Sequence, residues 1–224
     1  MASATASHDL RFDSGRICLD LVATVVGRLG EDPAERLGRP GQLAAWLIGA
    51  GLVPSGAELD SVDTRWLARF RELRELLHRV VHSEIGGISS TDGTGGTGGT
   101  GRGASSLDVI ATERDVGRLN ALAAIPPPAV RAVRARDGAL VRTLVAAPDC
   151  AALLGAVARD AVELLTDPVL RGQLRQCEGE NCSLVYLDTS RGRRRRWCSS
   201  EVCGNRERVA RHRRRAVAAQ LWKP

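Results

Sequence analysis

Six cysteines occur in the 224 residues, and four of them form two pairs of identical spacing, Cys177-Glu-Gly-Glu-Asn-Cys182 and Cys198-Ser-Ser-Glu-Val-Cys203, with 15 residues between the pairs. Short pairs at that separation suit one tetrahedral zinc ion. Each pair turns two thiolates to one side, and the intervening segment folds back so that four sulfurs surround the metal at ~2.3 Å. The competing reading is two disulfides, which needs an oxidising compartment. The opening Met1–Asp9 has neither the basic start nor the apolar stretch of a secretory signal, so a cytoplasmic chain with reduced thiols is expected. Four thiolates leave no position for water or substrate, so Cys177, Cys182, Cys198 and Cys203 are expected to hold a single structural Zn2+ ion. Cys18 and Cys150 lie in apolar stretches and read as small core hydrophobes.

What such a metal site would present is guanidinium. Arg191, Arg193, Arg194, Arg195 and Arg196 lie between the cysteine pairs, and Arg206, Arg208, Arg211, Arg213, Arg214 and Arg215 follow them. Residues 171–224 hold 14 Lys+Arg and 5 Asp+Glu, a net of +9; with 32 and 26 in the whole chain, residues 1–170 hold 18 and 21, a net of −3. Arginines at this density repel one another unless a polyanion neutralises them, and their forked donors match phosphate oxygens. Nucleic acid is the expected partner of these eleven side chains; a solvated basic tail or an acidic protein partner is the alternative. Residues 1–168 are expected not to bind nucleic acid.

The segment between the pairs predicts a β-hairpin, with strand Ser183–Asp188, turn Thr189–Gly192 and returning strand Arg193–Trp197. After Cys203 a helix is predicted from Arg206 to Trp222, with Val209, Ala210, Val217 and Leu221 as a sparse apolar stripe. Knuckle, hairpin, knuckle and helix make a small treble-clef-like zinc-finger module over residues 172–224. Its core is too small to fold alone, so zinc must supply much of its stability, ~10–16 kcal/mol being typical of structural zinc in peptides.

Residues 8–168 predict an α-rich (α+β) domain with a few short strands. Aromatics are only 3% of the chain, so Leu, Val and Ala must do most of the packing. Leu10–Val26 reads as a strand or hairpin around the Asp13-Ser-Gly15 turn. Helices are expected over Gln42–Ala50 and over Leu59–Ser83, where Val62, Trp66, Phe70, Leu73, Leu77 and Val80 recur at three and four. Further helices are expected over Leu107–Ala124, ended by Pro126-Pro-Pro128, and over Ala129–Ala139, followed by an extended Leu140–Ala146. A last helix is capped by Asp149 and stops before Pro168. Residues 86–106 are rich in Gly and Thr and predict a flexible loop; no Gly-Lys-Ser/Thr closes a phosphate-binding motif there. His78 and His82 stand one helical turn apart without the Glu of a metalloprotease motif, and read as part of a half-exposed helix face. No apolar run approaches the ~18 residues of a membrane span.

At Cys203-Gly-Asn-Arg206 the sequence resembles the CGNR zinc-finger family. Tyr186-Leu-Asp-Thr-Ser-Arg191, Arg196-Trp-Cys198 and Arg211-His-Arg213 also fall where that family's pattern places them, although Tyr186 stands where Phe is commoner. The match covers about the last 50 residues. In the family this finger follows a helical ABATE domain, described as a stress-induced transcription regulator, and Ile17-Cys-Leu-Asp-Leu-Val-Ala-Thr24 resembles its opening motif. The Gly/Thr-rich segment reads as an insertion. The resemblance implies a bacterial DNA-binding regulator.

Together these readings give a transcription regulator with a structural zinc, cytoplasmic and nucleoid-associated, whose first domain senses a small-molecule ligand or self-associates. The alternatives are an RNA-binding protein, with Tyr186 and Trp197 as stacking aromatics, and an enzyme-like first domain with the finger as a targeting module. No acid–base or nucleophile set supports the last.

Overall fold

The computed structural model describes residues 10–89, 110–179 and 181–221. In chain order it contains α1 (Ile17–Val22), β1 (Val25–Val26), β2 (Ala34–Glu35), α2 (Pro40–Gly49), α3 (Thr64–Ser89), α4 (Glu113–Ala123), β3 (Val130–Arg134), β4 (Leu140–Leu144), α5 (Cys150–Thr166), α6 (Pro168–Arg171), β5 (Leu174–Gln176), β6 (Val185–Leu187), a one-turn π-helix (Ser200–Gly204) and α7 (Asn205–Leu221). The strands form three separate two-stranded antiparallel ribbons, β1–β2, β3–β4 and β5–β6.

The long helices form where the apolar period predicts. Phe70, Leu73, Leu77 and Val80 bury one face of α3, and Leu153, Leu154, Val157, Ala161 and Leu164 bury one face of α5. Their starts are capped: Asp63 Oδ1 accepts from the amides of Arg65 and Trp66 at 2.9 Å, and Asp149 Oδ2 accepts from Ala152 N at 2.8 Å. At the centre the Trp46 and Phe70 rings meet edge to face, 6.0 Å apart. Arg74 is buried beside this core with its charge satisfied, by Glu35 at 2.7 Å and Glu75 at 2.9 Å.

Four expectations are corrected. Ile17–Val22 is a helix, not a strand; Cys18 to Val22 are all buried, so neither face is marked by a polar alternation, and a short apolar run does not distinguish the two states. Its position is set by tertiary contacts, Cys18 N donating to Asp160 Oδ2 at 2.9 Å and Ser14 N to Asp20 Oδ1 at 3.0 Å. Val130–Arg134 is a strand, not a helix. Val-x-x-Val spacing suits either, but the Asp137-Gly138 turn, with Gly138 at φ +84°, folds it onto Leu140–Leu144 in the register Val130↔Leu144, Val133↔Val141 and Arg134↔Leu140. Arg193–Trp197 is not a strand: β6 pairs with β5, as Leu174↔Leu187 and Gln176↔Val185. The Asp188 carboxylate gathers Ser190 N, Ser190 Oγ and Arg195 N at 2.6–3.0 Å, which curls residues 189–195 into a loop instead. Finally, α3 runs through Ser89, so the first residues of the Gly/Thr-rich segment are helical; residues 90–106, like Trp222, lie outside the described residues.

The carboxy-terminal segment is seated on the helices. Leu174, Val185 and Leu187 belong to the same buried cluster as Leu19, Phe70 and Val157. Leu187 N donates to Ser14 O at 2.8 Å, where Gly15, at φ +94°, lets the chain turn so close that a side chain would strike Leu187 Cβ. Among the described residues no helix is long and apolar enough to cross a membrane.

Candidate metal centre and basic surface

Two knuckles form the centre. In the first, Cys182 N donates to Gly179 O at 3.0 Å, closing a turn that passes through Asn181 at φ +61°. Gly179 lies against both Cys177 and Cys203, so that a side chain there would crowd both sulfurs. In the second, Ser199 Oγ accepts from Glu201 N and Val202 N and starts the π-helical turn that brings Cys203 back, while Gly204 N donates to Ser199 O at 2.9 Å.

The four sulfurs lie within 4.8 Å of one another, with Cys198 Sγ 3.5 Å from Cys203 Sγ and 3.9 Å from Cys182 Sγ. Tetrahedral Zn–S bonds of ~2.3 Å require sulfurs ~3.8 Å apart, so the cluster fits one structural zinc ion. All six cysteines are free thiols. Amides support the sulfurs, Gly179 N and Cys198 N both donating to Cys177 Sγ at 3.4 and 3.3 Å. Thiols this close do not share one acidity. Hydrogen bonds from Cys177 and Cys182, helped by Arg11, hold Cys198 far below the ordinary thiol range. Burial, and then the charge on Cys198, push Cys203 up to about 12. A metal relieves this by taking all four as thiolates.

Two residues that spacing could not reveal complete the centre. Arg11, in the extended segment before α1, donates through Nη1 to Cys198 Sγ at 3.2 Å and through Nη2 to Cys198 O at 3.0 Å; Asp13 holds its other edge at 2.8–2.9 Å. Ala23, at the end of α1, packs in the same small cluster as the four cysteines and Tyr186. A single arginine 187 residues before its partner leaves no signal in a motif search.

The structure divides the eleven arginines. Arg195 turns inward, stacking 4.5 Å over Tyr186 and donating to the carbonyls of Trp197 and Cys198, so it serves the centre rather than a ligand. Arg196 pairs with Glu178 at 2.5 Å, Arg214 with Glu207 at 2.7 Å, and Arg208 donates to Ser200 O at 3.2 Å. Arg191, Arg193, Arg194, Arg206, Arg211, Arg213 and Arg215 are exposed, and among the described residues none has an ion pair. His78 and His82 lie side by side on α3, ring centroids 4.3 Å apart, beneath the backbone of Ser183.

Comparison with known families places this geometry. The ABATE model, whose description reads "Putative stress-induced transcription regulator", matches residues 15–168, more than half of the chain. The chain belongs to the ABATE family. The CGNR zinc-finger model matches residues 173–216 and so contains all four clustered cysteines of this ABATE protein. No curated protein matches it.

Proposed function

We propose that this ABATE protein is a DNA-binding transcription regulator and not an enzyme, residues 172–224 gripping DNA and residues 8–168 sensing a ligand or self-associating. The observation that carries the reading is the set of seven exposed arginines that have no acidic partner among the described residues, all carried by the segment that holds the four clustered cysteines. Exposed guanidinium groups at that density bind polyphosphate, and the scaffold limits where they point. Duplex is favoured over single-stranded RNA because neither aromatic is free to stack on a base. Tyr186 is fully buried with its hydroxyl on Arg195 O, and Trp197 is half-buried beneath Arg196. Arg206, Arg208 and Arg211 occupy the first turns of α7, nearest the metal, and are the candidates for reading bases; Arg193, Arg194, Arg213 and Arg215 are candidates for phosphates.

The test is selection of genomic fragments by the purified zinc-loaded chain, followed by mobility shift on the recovered site. Recovery of a common duplex sequence, weakened by about 1–3 kcal/mol in Arg211→Ala at that site alone, is expected. Preference for RNA, or equal weak retention of every duplex, would overturn the reading.

A further inference from the structure

The β3–β4 ribbon stands apart from the acidic half of the chain that carries it. Residues 129–146 contain Arg131, Arg134, Arg136 and Arg142 against one acid, Asp137, whereas residues 1–170 together are net negative. Among the described residues none of the four arginines has an ion pair. Arg131 Nε reaches only Thr143 Oγ1 at 3.4 Å, and Arg134 Nη1 only Gly138 O at 3.0 Å. Arg142, midway along the ribbon, donates to the carbonyls of Gly51 and Leu52, while Leu144 at the root packs on the core. Val130, paired with Leu144 at that root, is 53% exposed, and towards the turn Leu140 and Val141, on opposite faces, are 65% and 40% exposed.

An isolated two-stranded ribbon is marginal in water, and this one spends apolar side chains on solvent. We propose that the ribbon is a second nucleic-acid-binding element, which lies in a groove of duplex DNA with Arg131, Arg134 and Arg136 on the phosphates. This rests on the reading of the protein as DNA-binding. Five paired positions at ~3.3 Å each give a ribbon about 17 Å long, and a two-stranded ribbon fits a major groove ~12 Å wide. Charge chooses the occupant. Edge pairing of a second copy would oppose eight guanidinium groups with two carboxylates between them, and like charges directly opposite destabilise a sheet. Phosphates supply the countercharge that nothing among the described residues does. The expectation that residues 1–168 do not bind nucleic acid rests on their summed charge, and the proposal departs from it at this local reversal.

The test uses the full zinc-loaded chain and a duplex of about 30 base pairs. The triple variant Arg131→Ala/Arg134→Ala/Arg136→Ala leaves the anchoring Arg142 in place. A control of equal charge change, Arg65→Ala/Arg114→Ala/Arg118→Ala, removes three exposed arginines elsewhere on the helices. Salt titration of the ribbon variant is expected to give a log–log slope shallower by about 2–3, at ~0.9 per lost contact, with loss of one discrete patch of hydroxyl-radical protection. The control is expected to keep both. Equal slopes in the two variants, or an unchanged footprint, would overturn the proposal while leaving wild-type DNA binding intact. Wild type that binds no duplex would overturn the function as well. Concentration-dependent dimerisation abolished by Leu140→Glu would instead make the ribbon a self-association arm and overturn it.

Discussion

Four thiolates around one divalent ion carry a formal excess of two negative charges, and each N–H that points at a sulfur removes part of it. Here the two backbone donors fall on Cys177, and the guanidinium of Arg11 falls on Cys198. Arg11 also fixes the carbonyl of the same residue, so it orients the ligand as well as neutralising it. Outer partners of this kind commonly tune metal affinity by ~10–100-fold. Arg11→Ala is therefore expected to release zinc to a competing chelator at least several-fold faster than wild type, at unchanged stoichiometry of one. Arg11→Lys should not restore the wild-type rate, because a single ammonium cannot span sulfur and carbonyl as a planar fork does. A rate equal to wild type in Arg11→Ala would reduce the contact to packing.

At the scale of elements, α3 links the helical core to the finger, and its paired histidines make that link sensitive to acid. Burial, then the neighbouring His82 and Arg28, lower His78 to about 4; burial and Arg28 also lower His82. A depressed histidine favours the neutral folded form, so its contribution is complete above ~6.5, its ordinary value, and is lost as pH falls from there towards 4. Asp20 works in the opposite sense. Burial raises it to about 6, so its contribution is present below ~3.9 and is lost as pH rises through 6. The melting temperature of His78→Gln should thus fall less than that of wild type between pH 6.5 and 4; an identical fall would exclude His78 as a cause. Packing of α4 on α5 depends on Gly155, where an added Cβ would lie 2.6 Å from Ile125 O. Gly155→Ala is expected to cost about 1–3 kcal/mol, read as a lower denaturant midpoint at constant slope. Long elements with a clear period, α3 and α5, and the cysteine pairs were legible in the sequence because periodicity and ligand spacing are local. The short ones were not. Ile17–Val22 and Val130–Arg134 take their state from what they pack or pair with, and β6 found β5 rather than Arg193–Trp197 because Asp188 bends the chain between. The Arg11 contact is longer in range still, and no local pattern encodes it.

For the whole molecule the question is whether the finger and the helical part unfold separately. A module held only by its metal would melt alone on losing zinc and leave the helices unchanged. Leu174, Val185 and Leu187 argue otherwise, since they are 2%, 1% and 6% exposed inside the main core. Burying a side chain of this size is worth roughly 1.5–3 kcal/mol, so the three together hold about 5–9 kcal/mol. The net stability of a domain is only ~5–15 kcal/mol. Structural zinc contributes about as much as that or more, so metal removal should unfold the knuckles, withdraw these three side chains and take most of the helical part's stability with them. Zinc-loaded protein is accordingly expected to show one calorimetric transition. On chelation, hydrogen exchange should accelerate in α1 and α5, which contribute Leu19 and Val157 to the shared core, and not only after Gln173. Fast exchange confined to residues after Gln173, with α1 and α5 as protected as before, would show that the interface contributes little and that the finger is an independent unit tethered to the rest.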